Sequence, residues 1–217
     1  MGWWTERVVP RMNDASLRHS DLVPYRVRAC SGLHGLVAEL GFGSGLNIEH
    51  YPKDVTRILA VEPSDLAWDL SAPRRASSRI PVERGGLDGQ RLDLDDDSID
   101  AVLSTFTLCT IPDPSRALAE VHRVLRPGGT FHFLEHGLSH EPSVARWQGI
   151  LEPLNARLAG NCHLTRQIDR LVIDAGFRMD ELDAGYLDIN APKLQRHGFL
   201  GAATKTALHT DPHRMSD

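Results

Sequence analysis

The sequence predicts an α/β fold with a doubly wound, mostly parallel sheet, and two observations support this prediction. Apolar segments suited to buried strands alternate along the chain with helical patterns, as in sheets built from right-handed crossovers. The first strand, 36–40, runs into three glycines at alternate positions, Gly41, Gly43 and Gly45, and a short helix follows. Because glycine has no Cβ atom, such a turn lets the backbone approach a ligand held at the N-terminus of the next helix.

A second strand over 57–61 ends in Glu62. A carboxylate at this position can accept both hydroxyl protons of a ribose. Nicotinamide and flavin dinucleotides use the spacing G-x-G-x-x-G, whereas here Glu39 precedes glycines that alternate with other residues. A pyrophosphate would not tolerate that carboxylate, but the cationic ammonium group of S-adenosylmethionine (SAM) would. The sequence therefore favours SAM over NAD.

The other elements follow in order along the chain. Residues 1–19 lack a clean period and predict a loosely ordered terminus, and residues after 206 predict a frayed tail. The predicted helices cover 21–31 with Ser20 as N-cap, the region near 45–51, 65–78 with a break at Pro73, a segment from Asp113 as N-cap to about 125, 144–158 with a kink at Pro153, and 165–175 capped by Thr165. The predicted later strands cover 80–82, 99–103, 130–135, 177–179 and 198–204.

Composition narrows the class of protein. The 217 residues are 41% apolar and 24% charged, which is typical of one globular domain with a full core. The net charge of −5 argues against a nucleic-acid partner. No segment has the length of a membrane span, and the N-terminus does not resemble a signal peptide.

The arrangement of cysteines and acidic residues predicts no metal site. Cys30, Cys109 and Cys162 are far apart and form no C-x-x-C pair, which indicates a reduced, cytoplasmic protein. The acids at 93 and 95–97 are expected to form a solvated turn. The oligomeric state stays open at this stage.

Four motifs carry a family resemblance. They are the glycine turn, Glu62-Pro63, the acidic run over 92–100, and the Leu-Arg-Pro-Gly-Gly sequence at 125–129. With these motifs, the chain resembles the class I SAM-dependent methyltransferases of the type 11 family over about 36–136. The resemblance implies a Rossmann-like, seven-stranded sheet with an antiparallel last strand. It also implies one methyltransferase domain with these parts: an N-terminal lid and helix at 1–33, a SAM-binding core at 34–136, a substrate lid and closing hairpin at 137–206, and a tail at 207–217.

The resemblance also implies roles for individual residues. Glu39 and the glycine turn would hold the methionine end of SAM, Glu62 the ribose, and Pro63 the adenine. Asp88 and the Gly89 amide would read the adenine edge. The implied cofactor-binding residues are Glu39, Gly41, Phe42, Gly43, Gly45, Asn47, Glu62, Pro63, Asp88, Gly89, Ser104 and Thr105.

A closer similarity covers 102–177. The segments at 107–109, 133–136 and 162–166 resemble the methyltransferase-like 7 group, which is associated with S-methylation of small alkyl thiols. This sequence departs from that group in lacking an N-terminal hydrophobic anchor and in having His163 at an asparagine position. Similar patterns also occur in methyltransferases that act on quinones and phospholipid headgroups.

The chemistry of methyl transfer separates the candidate substrates. A thiol is partly ionised near neutral pH and needs little help, whereas a hydroxyl or carbon acid needs a general base. His136, just beyond the end of the fifth strand, is the candidate base, while His132 is expected to be a packed core residue. Cys109, His163 and Arg166 are candidates to line the substrate pocket, although Cys109 and Cys162 also fit small buried side chains.

Three functions are consistent with these residues. The first is a SAM-dependent methyltransferase for a small, largely apolar acceptor such as a thiol. The second is an O- or C-methyltransferase of a lipid, quinone, phenolic or sugar metabolite. The third is a catalytically silent SAM-binding partner of another enzyme.

Overall fold

The computed structural model describes residues 3–206, so the predicted tail at 207–217 lies outside the described residues. The described residues contain a seven-stranded sheet. Its strands are β1 (Gly35–Leu40), β2 (Val55–Val61), β3 (Val82–Gly86), β4 (Ile99–Thr105), β5 (Leu125–His136), β6 (Phe177–Tyr186) and β7 (His197–Lys205). The order across the sheet is β3-β2-β1-β4-β5-β7-β6. The first five strands are paired in parallel, and β7 is antiparallel to both β5 and β6. The predicted doubly wound sheet with an antiparallel last strand is confirmed.

Helices cover both faces of this sheet. They are α1 (Val9–Leu17), α2 (Val23–Cys30), α3 (Asp65–Leu70), α4 (Ala72–Ser77), α5 (Pro114–Val124), α6 (Pro142–Leu158), α7 (Ile168–Asp174) and α8 (Lys193–Arg196). A π-helical turn at Trp4–Val8 precedes α1, and 3-10 turns occur at Ser20–Leu22 and Ile48–His50. Among the described residues, no helix has the length and apolar character needed to cross a bilayer.

Alternation along the central strands builds two apolar cores. In β4, Val102 packs into the core under α5 and α7, whereas its neighbours Ala101 and Leu103 pack into the core under α2. Successive side chains of a strand point to opposite faces, so a strand covered on both sides must be apolar throughout. This continuous apolar character is why the central strands were recognisable from sequence.

Several boundaries differ from the sequence-based prediction. The third strand is β3, not 80–82, because an edge strand is held by pairing with β2 and needs few apolar residues. Within the described part of the N-terminal segment, Trp4–Val8 and Val9–Leu17 are helical rather than loosely ordered. Helix α1 buries only two residues, so its sequence shows no clean period, and its Val9 packs against Gly160.

The predicted helix caps had mixed outcomes. Asp113 caps α5 as predicted, accepting from the Arg116 amide at 3.0 Å. Thr165 does not cap α7, because its hydroxyl donates to Glu152 at 2.8 Å, and Ser20 makes no capping bond because a 3-10 turn precedes α2. Helix α6 continues through Pro153.

Candidate functional site

The glycine turn lies at the carboxyl end of the sheet, between β1 and β2. Its three glycines, Gly41, Gly43 and Gly45, have φ angles of 63°, 58° and 76°, a region that side chains rarely adopt. A Cβ atom on Gly41 would overlap the side chain of Thr107, lying 2.8 Å from its Cβ. The backbone can therefore make this turn only because position 41 has no side chain.

Glu62 lies beside this turn, at the end of β2, and is buried. Its carboxylate accepts one bond per oxygen, from the Gly43 amide at 2.7 Å and from the Ser64 amide at 2.8 Å. Burial raises the pKa of Glu62, and these two amide bonds oppose that shift. A carboxylate has about four acceptor sites, so Glu62 keeps the capacity to accept both ribose hydroxyls.

We expect Glu62→Gln to weaken SAM binding by roughly 10- to 100-fold, because a charge-assisted hydrogen bond is worth about 1.5–3 kcal/mol. Titration calorimetry on folded protein measures this change. Glu83→Gln, on the exposed face of the neighbouring strand β3, is the matched control and should bind SAM as the wild type does. Equal affinities for both variants would mean that Glu62 does not contact the ribose.

A buried polar cluster lies at the other side of the turn and consists of Arg26, Glu39, Asn47, Tyr51 and Thr105; we call it the Arg26 cluster. Glu39 accepts from the Asn47 amide group at 2.7 Å and from the Tyr51 hydroxyl at 2.5 Å. The Asn47 oxygen in turn accepts from the Arg26 guanidinium at 2.7 Å. Asn47 thus connects the buried acid to the buried base, and its amide group also donates to the Thr105 hydroxyl at 3.0 Å.

Burial of two ionisable groups in the Arg26 cluster, Arg26 and Glu39, disfavours their charged forms. Burial raises the pKa of Glu39 to about 7, and the bonds from Tyr51 and Asn47 oppose this shift. Burial also lowers the pKa of Arg26, which the nearby Glu39 carboxylate opposes. A guanidinium has five donors, and those of Arg26 reach Asn47, Thr105 and the Leu17 carbonyl. Its charge is well suited to bind the carboxylate of an amino-acid ligand.

Sequence reasoning missed Arg26, although a signal was present. Arg26 lies four residues after Leu22 and three before Ala29, and both of these side chains are buried. An arginine at a core position of a helix is unusual, because arginine is rarely buried unless it is paired. That position indicates a paired or ligand-binding charge.

Glu39→Gln should flatten the pH dependence of folding stability. The pKa of Glu39 is raised from 4.5 to about 7, so the folded protein keeps a proton that the unfolded chain releases. The contribution is fully present below about pH 4.5 and is lost as the pH rises through about 7. Relative to Glu39→Gln, the wild type should lose at most about 3 kcal/mol of unfolding free energy across this interval. Urea unfolding at about pH 4.5 and 8 measures it; parallel profiles for the two proteins would contradict the prediction.

The structure places the other predicted cofactor residues around the same edge, with different degrees of access. Phe42 is buried against the Trp68 ring at 5.8 Å, and Pro63 is exposed next to Glu62. Asp88 is exposed, and its carboxylate accepts from the Gln90 amide at 2.8 Å, which shapes the loop that carries Gly89. A Cβ atom on Gly89 would lie 3.2 Å from the Ile111 side chain.

The structure differs from the expected cofactor site at Ser104, which is bonded to Glu135. Glu135 is fully buried at the end of β5 and accepts a hydrogen bond from the Ser104 hydroxyl at 2.7 Å. The Ser104 hydroxyl therefore bonds to a neighbouring strand of the sheet. The same carboxylate accepts from the amides of Thr107 and Leu108 at 3.0 Å and of Cys109 at 3.2 Å. Burial raises the pKa of Glu135, and the Ser104 hydroxyl and these amides oppose the shift. Glu135 therefore fixes the turn after β4.

This turn brings Cys109 to His136 and Cys162, and we call these three residues the Cys–His cluster. The Cys109 and Cys162 sulfur atoms are 3.8 Å apart, and the Cys162 sulfur is 3.9 Å from His136 Nδ1. The pKa of Cys162 is lowered, because its sulfur shares a hydrogen bond with the Cys109 sulfur and His136 lies beside it. The same hydrogen bond, together with burial, raises the pKa of Cys109 well above its usual range. Spacing along the chain did not indicate this cluster.

Phe106 connects the two clusters. Its φ of 54° is unusual for a residue with a side chain, and its ring lies 4.7 Å from the His136 ring. The Arg26 guanidinium lies over the same ring, 5.8 Å from its centre. The Arg26 cluster and the Cys–His cluster are therefore neighbours at the carboxyl ends of β1, β4 and β5, where open α/β sheets bind their ligands.

The other predicted residues, His163, Arg166 and His132, lie near the Cys–His cluster or in the sheet and are not part of either cluster. His163 lies with Nδ1 2.8 Å from a Glu152 oxygen on α6, and Arg166 donates to the Leu108 carbonyl. Arg166 thus holds the turn that carries Cys109. His132 is a packed residue, as expected, with Nδ1 3.1 Å from the Ala29 carbonyl oxygen.

Known proteins are similar to this chain in sequence and in fold. Residues 38–133 match the family model described as "Methyltransferase domain". The chain is 34% identical to the rat thiol S-methyltransferase TMT1B over 149 residues, which cover 67% of this chain and 61% of that protein. It is 34% identical to the human thiol S-methyltransferase TMT1A over 177 residues, which cover 77% and 69%. The chain thus spans about three fifths of the length of the first curated relatives it matches.

Among solved structures, a SAM-dependent methyltransferase from Thermotoga maritima has a TM-score of 0.66 and 22% identity. The match covers 94% of this chain and 99% of that one, and it shows a shared fold.

Proposed function

Because this chain belongs to the class I SAM-dependent methyltransferase family, we propose that it transfers the methyl group of SAM to the sulfur atom of a small, largely apolar thiol. The names of the relatives that are 34% identical support a thiol acceptor. One structural observation supports it most. Within residues 3–206, the His136 ring lies beside the Cys162 sulfur, 3.9 Å from Nδ1, and is not hydrogen-bonded to a carboxylate that would strengthen it as a general base. A thiol is the acceptor that least needs such a base.

The reaction is an in-line displacement at the methyl carbon. The acceptor thiol releases its proton to solvent, and its sulfur lone pair forms the new carbon–sulfur bond. The sulfonium bond of SAM breaks, and its electron pair stays on the sulfur of S-adenosylhomocysteine. The protein contributes mainly alignment and exclusion of water, since the cofactor already carries the charge that is neutralised.

The proposed cofactor contacts follow from the two clusters. The Arg26 guanidinium pairs with the methionine carboxylate of SAM, and the negative charge of Glu39 balances the positive charge of the SAM ammonium group. Glu62 accepts the ribose hydroxyls, while Pro63 and the Asp88–Gly89 loop flank the adenine. The methyl group then points past Phe106 toward the Cys–His cluster, where Leu164 and Ala159 provide apolar surroundings for the acceptor.

Two segments are proposed to close over the acceptor, namely the N-terminal helices and residues 137–166. Trp4 donates from its ring nitrogen to the Leu158 carbonyl at 3.4 Å, so the start of the chain contacts the end of α6. The Leu17 carbonyl at the end of α1 accepts from Arg26. The same segments therefore contact each other and the cofactor site.

The test is turnover of SAM against small alkyl thiols, phenols and amines. Alkyl thiols should be methylated, and the rate at low thiol should rise with pH as the acceptor thiol ionises. A more acidic thiol should shift this profile to lower pH. Turnover of a phenol with no turnover of any thiol would overturn the proposal in favour of O-methylation.

A further inference from the structure

Three potential metal ligands from separate segments meet at the carboxyl end of the sheet. Cys109 follows β4, His136 ends β5, and Cys162 lies between α6 and α7. The three ligand atoms all lie within 4.8 Å of one another. Both cysteines are buried and His136 is half-buried, so the group is not a chance encounter of surface side chains.

Two of the three distances between ligand atoms are close to those of tetrahedral zinc coordination. Zinc–sulfur bonds of about 2.3 Å and zinc–nitrogen bonds of about 2.0 Å place two sulfurs about 3.8 Å apart and a sulfur and nitrogen about 3.5 Å apart. The corresponding distances here are 3.8 Å between the sulfurs and 3.9 Å from the Cys162 sulfur to His136 Nδ1. Thiolate and imidazole are also the ligands that zinc prefers.

Hydrogen bonds from the surrounding structure hold the segments of the two cysteine ligands in place. The His163 amide donates to the Cys109 carbonyl at 2.8 Å, which ties the segment of Cys162 to the turn of Cys109. Asn155 donates to the Cys162 carbonyl at 2.6 Å, and the Cys109 amide donates to Glu135. Such supporting bonds keep metal ligands oriented.

We propose that Cys109, His136 and Cys162 bind a zinc ion, and that the acceptor thiol occupies the fourth coordination position. Three protein ligands with one open position are typical of catalytic zinc, whereas structural sites use four. The thiol part of this inference rests on the proposed function; the metal site does not. It also assigns His136 as a ligand, not as the general base that the sequence suggested.

Zinc would favour the ionised form of a thiol that is already partly ionised near neutral pH. Coordination releases the thiol proton to solvent and leaves a sulfur lone pair for attack on the methyl carbon. The carbon–sulfur bond forms as the sulfonium bond of SAM breaks, and zinc does not change oxidation state. The product thioether carries no charge and is a weaker ligand, so it can leave. Arg166, held on the adjacent Leu108 carbonyl, adds positive charge near the thiolates.

Metal content tests the site itself. The full-length protein, purified under reducing conditions and dialysed against zinc-free buffer, should retain about one zinc per chain. Cys109→Ser and Cys162→Ser should lose at least about tenfold in zinc affinity, because each removes a thiolate ligand and the loss of even a supporting partner of a ligand costs about 10- to 100-fold. Cys30→Ser is the matched control, because Cys30 is buried in the other core and should not affect zinc. A wild type without zinc, or equal zinc in all three variants, would overturn the metal site.

Cobalt substitution tests the fourth position without any turnover. Co²⁺ protein should show thiolate-to-cobalt charge transfer that Cys162→Ser weakens and Cys30→Ser preserves. Adding propane-1-thiol in the absence of SAM should intensify this band, while its S-methyl ether should not. If cobalt binds but its spectrum does not change when the thiol is added, the acceptor thiol does not occupy the fourth coordination position, and the metal site is structural. Zinc-loaded protein that binds thiol but methylates none would instead contradict the proposed function, so the two failures are distinguishable.

Discussion

Arg26→Met should reduce SAM affinity by about 100-fold, since it removes a charge-assisted pair with the methionine carboxylate worth about 3 kcal/mol. It should also lower the unfolding free energy by about 3 kcal/mol, because Glu39 is left buried without its cation. Titration calorimetry and urea unfolding measure the two effects on the same preparation.

The chain offers controls that separate binding from stability. Arg28→Met lies on the same helix, but Arg28 is exposed and pairs with Asp183 at 2.9 Å on the surface, so both quantities should stay near wild type. Adding Glu39→Gln to Arg26→Met should recover most of the lost stability, because no unpaired charge remains, but should not recover SAM affinity. Normal SAM binding by folded Arg26→Met would remove Arg26 from the proposed site.

Gly41→Ala should lower the unfolding free energy by about 2–5 kcal/mol and abolish SAM binding. The φ of 63° costs an alanine about 1–2 kcal/mol, and the overlap of the new methyl group with Thr107 adds about 1–3 kcal/mol. Urea unfolding gives the first quantity and calorimetry the second. Combining Gly41→Ala with Thr107→Ala should recover only part of the steric cost, because the Cβ atom of residue 107 remains 2.8 Å from the new methyl group, and should leave the conformational cost unchanged.

Two other glycines calibrate this result. Gly128 has a φ of 78° and no heavy atom within 4 Å of the position that an alanine methyl group would take, so Gly128→Ala should show the conformational cost alone. Gly149 lies in the middle of α6 with nothing within 4 Å, and Gly149→Ala should stabilise the helix by up to about 1 kcal/mol. A Gly41→Ala variant no less stable than Gly128→Ala would show that Thr107 moves aside at no cost.

Patterns that are local in sequence were sufficient for the framework. Strands covered on both faces are apolar throughout, a turn that needs positive φ needs glycine, and the Asp113-Pro114 pair starts a helix. Each of these reflects the conformational preference of a few consecutive residues. The position of Glu62 at the end of β2 follows from the same local rules.

Contacts between distant segments decided the rest. Sequence could not show that the Ser104 hydroxyl donates a hydrogen bond to Glu135, because this contact depends on the pairing of β4 with β5. Nor could it show that Arg26 reaches Glu39 through Asn47. The edge strand β3 and helix α1 bury few apolar side chains, so their periodicity is weak.

The Cys–His cluster is the clearest case of this division. Spacing along the chain argued against a metal site, since its three members come from three segments with no C-x-x-C pair. Parallel pairing of β4 with β5 places the turn of Cys109 beside His136, and the connection after α6 brings Cys162 to both. Sequence by itself determined the sheet, the glycine turn and the cofactor class, because these depend on neighbouring residues. Only the tertiary structure decided which polar side chains meet, because strand register and helix packing join residues far apart in the chain.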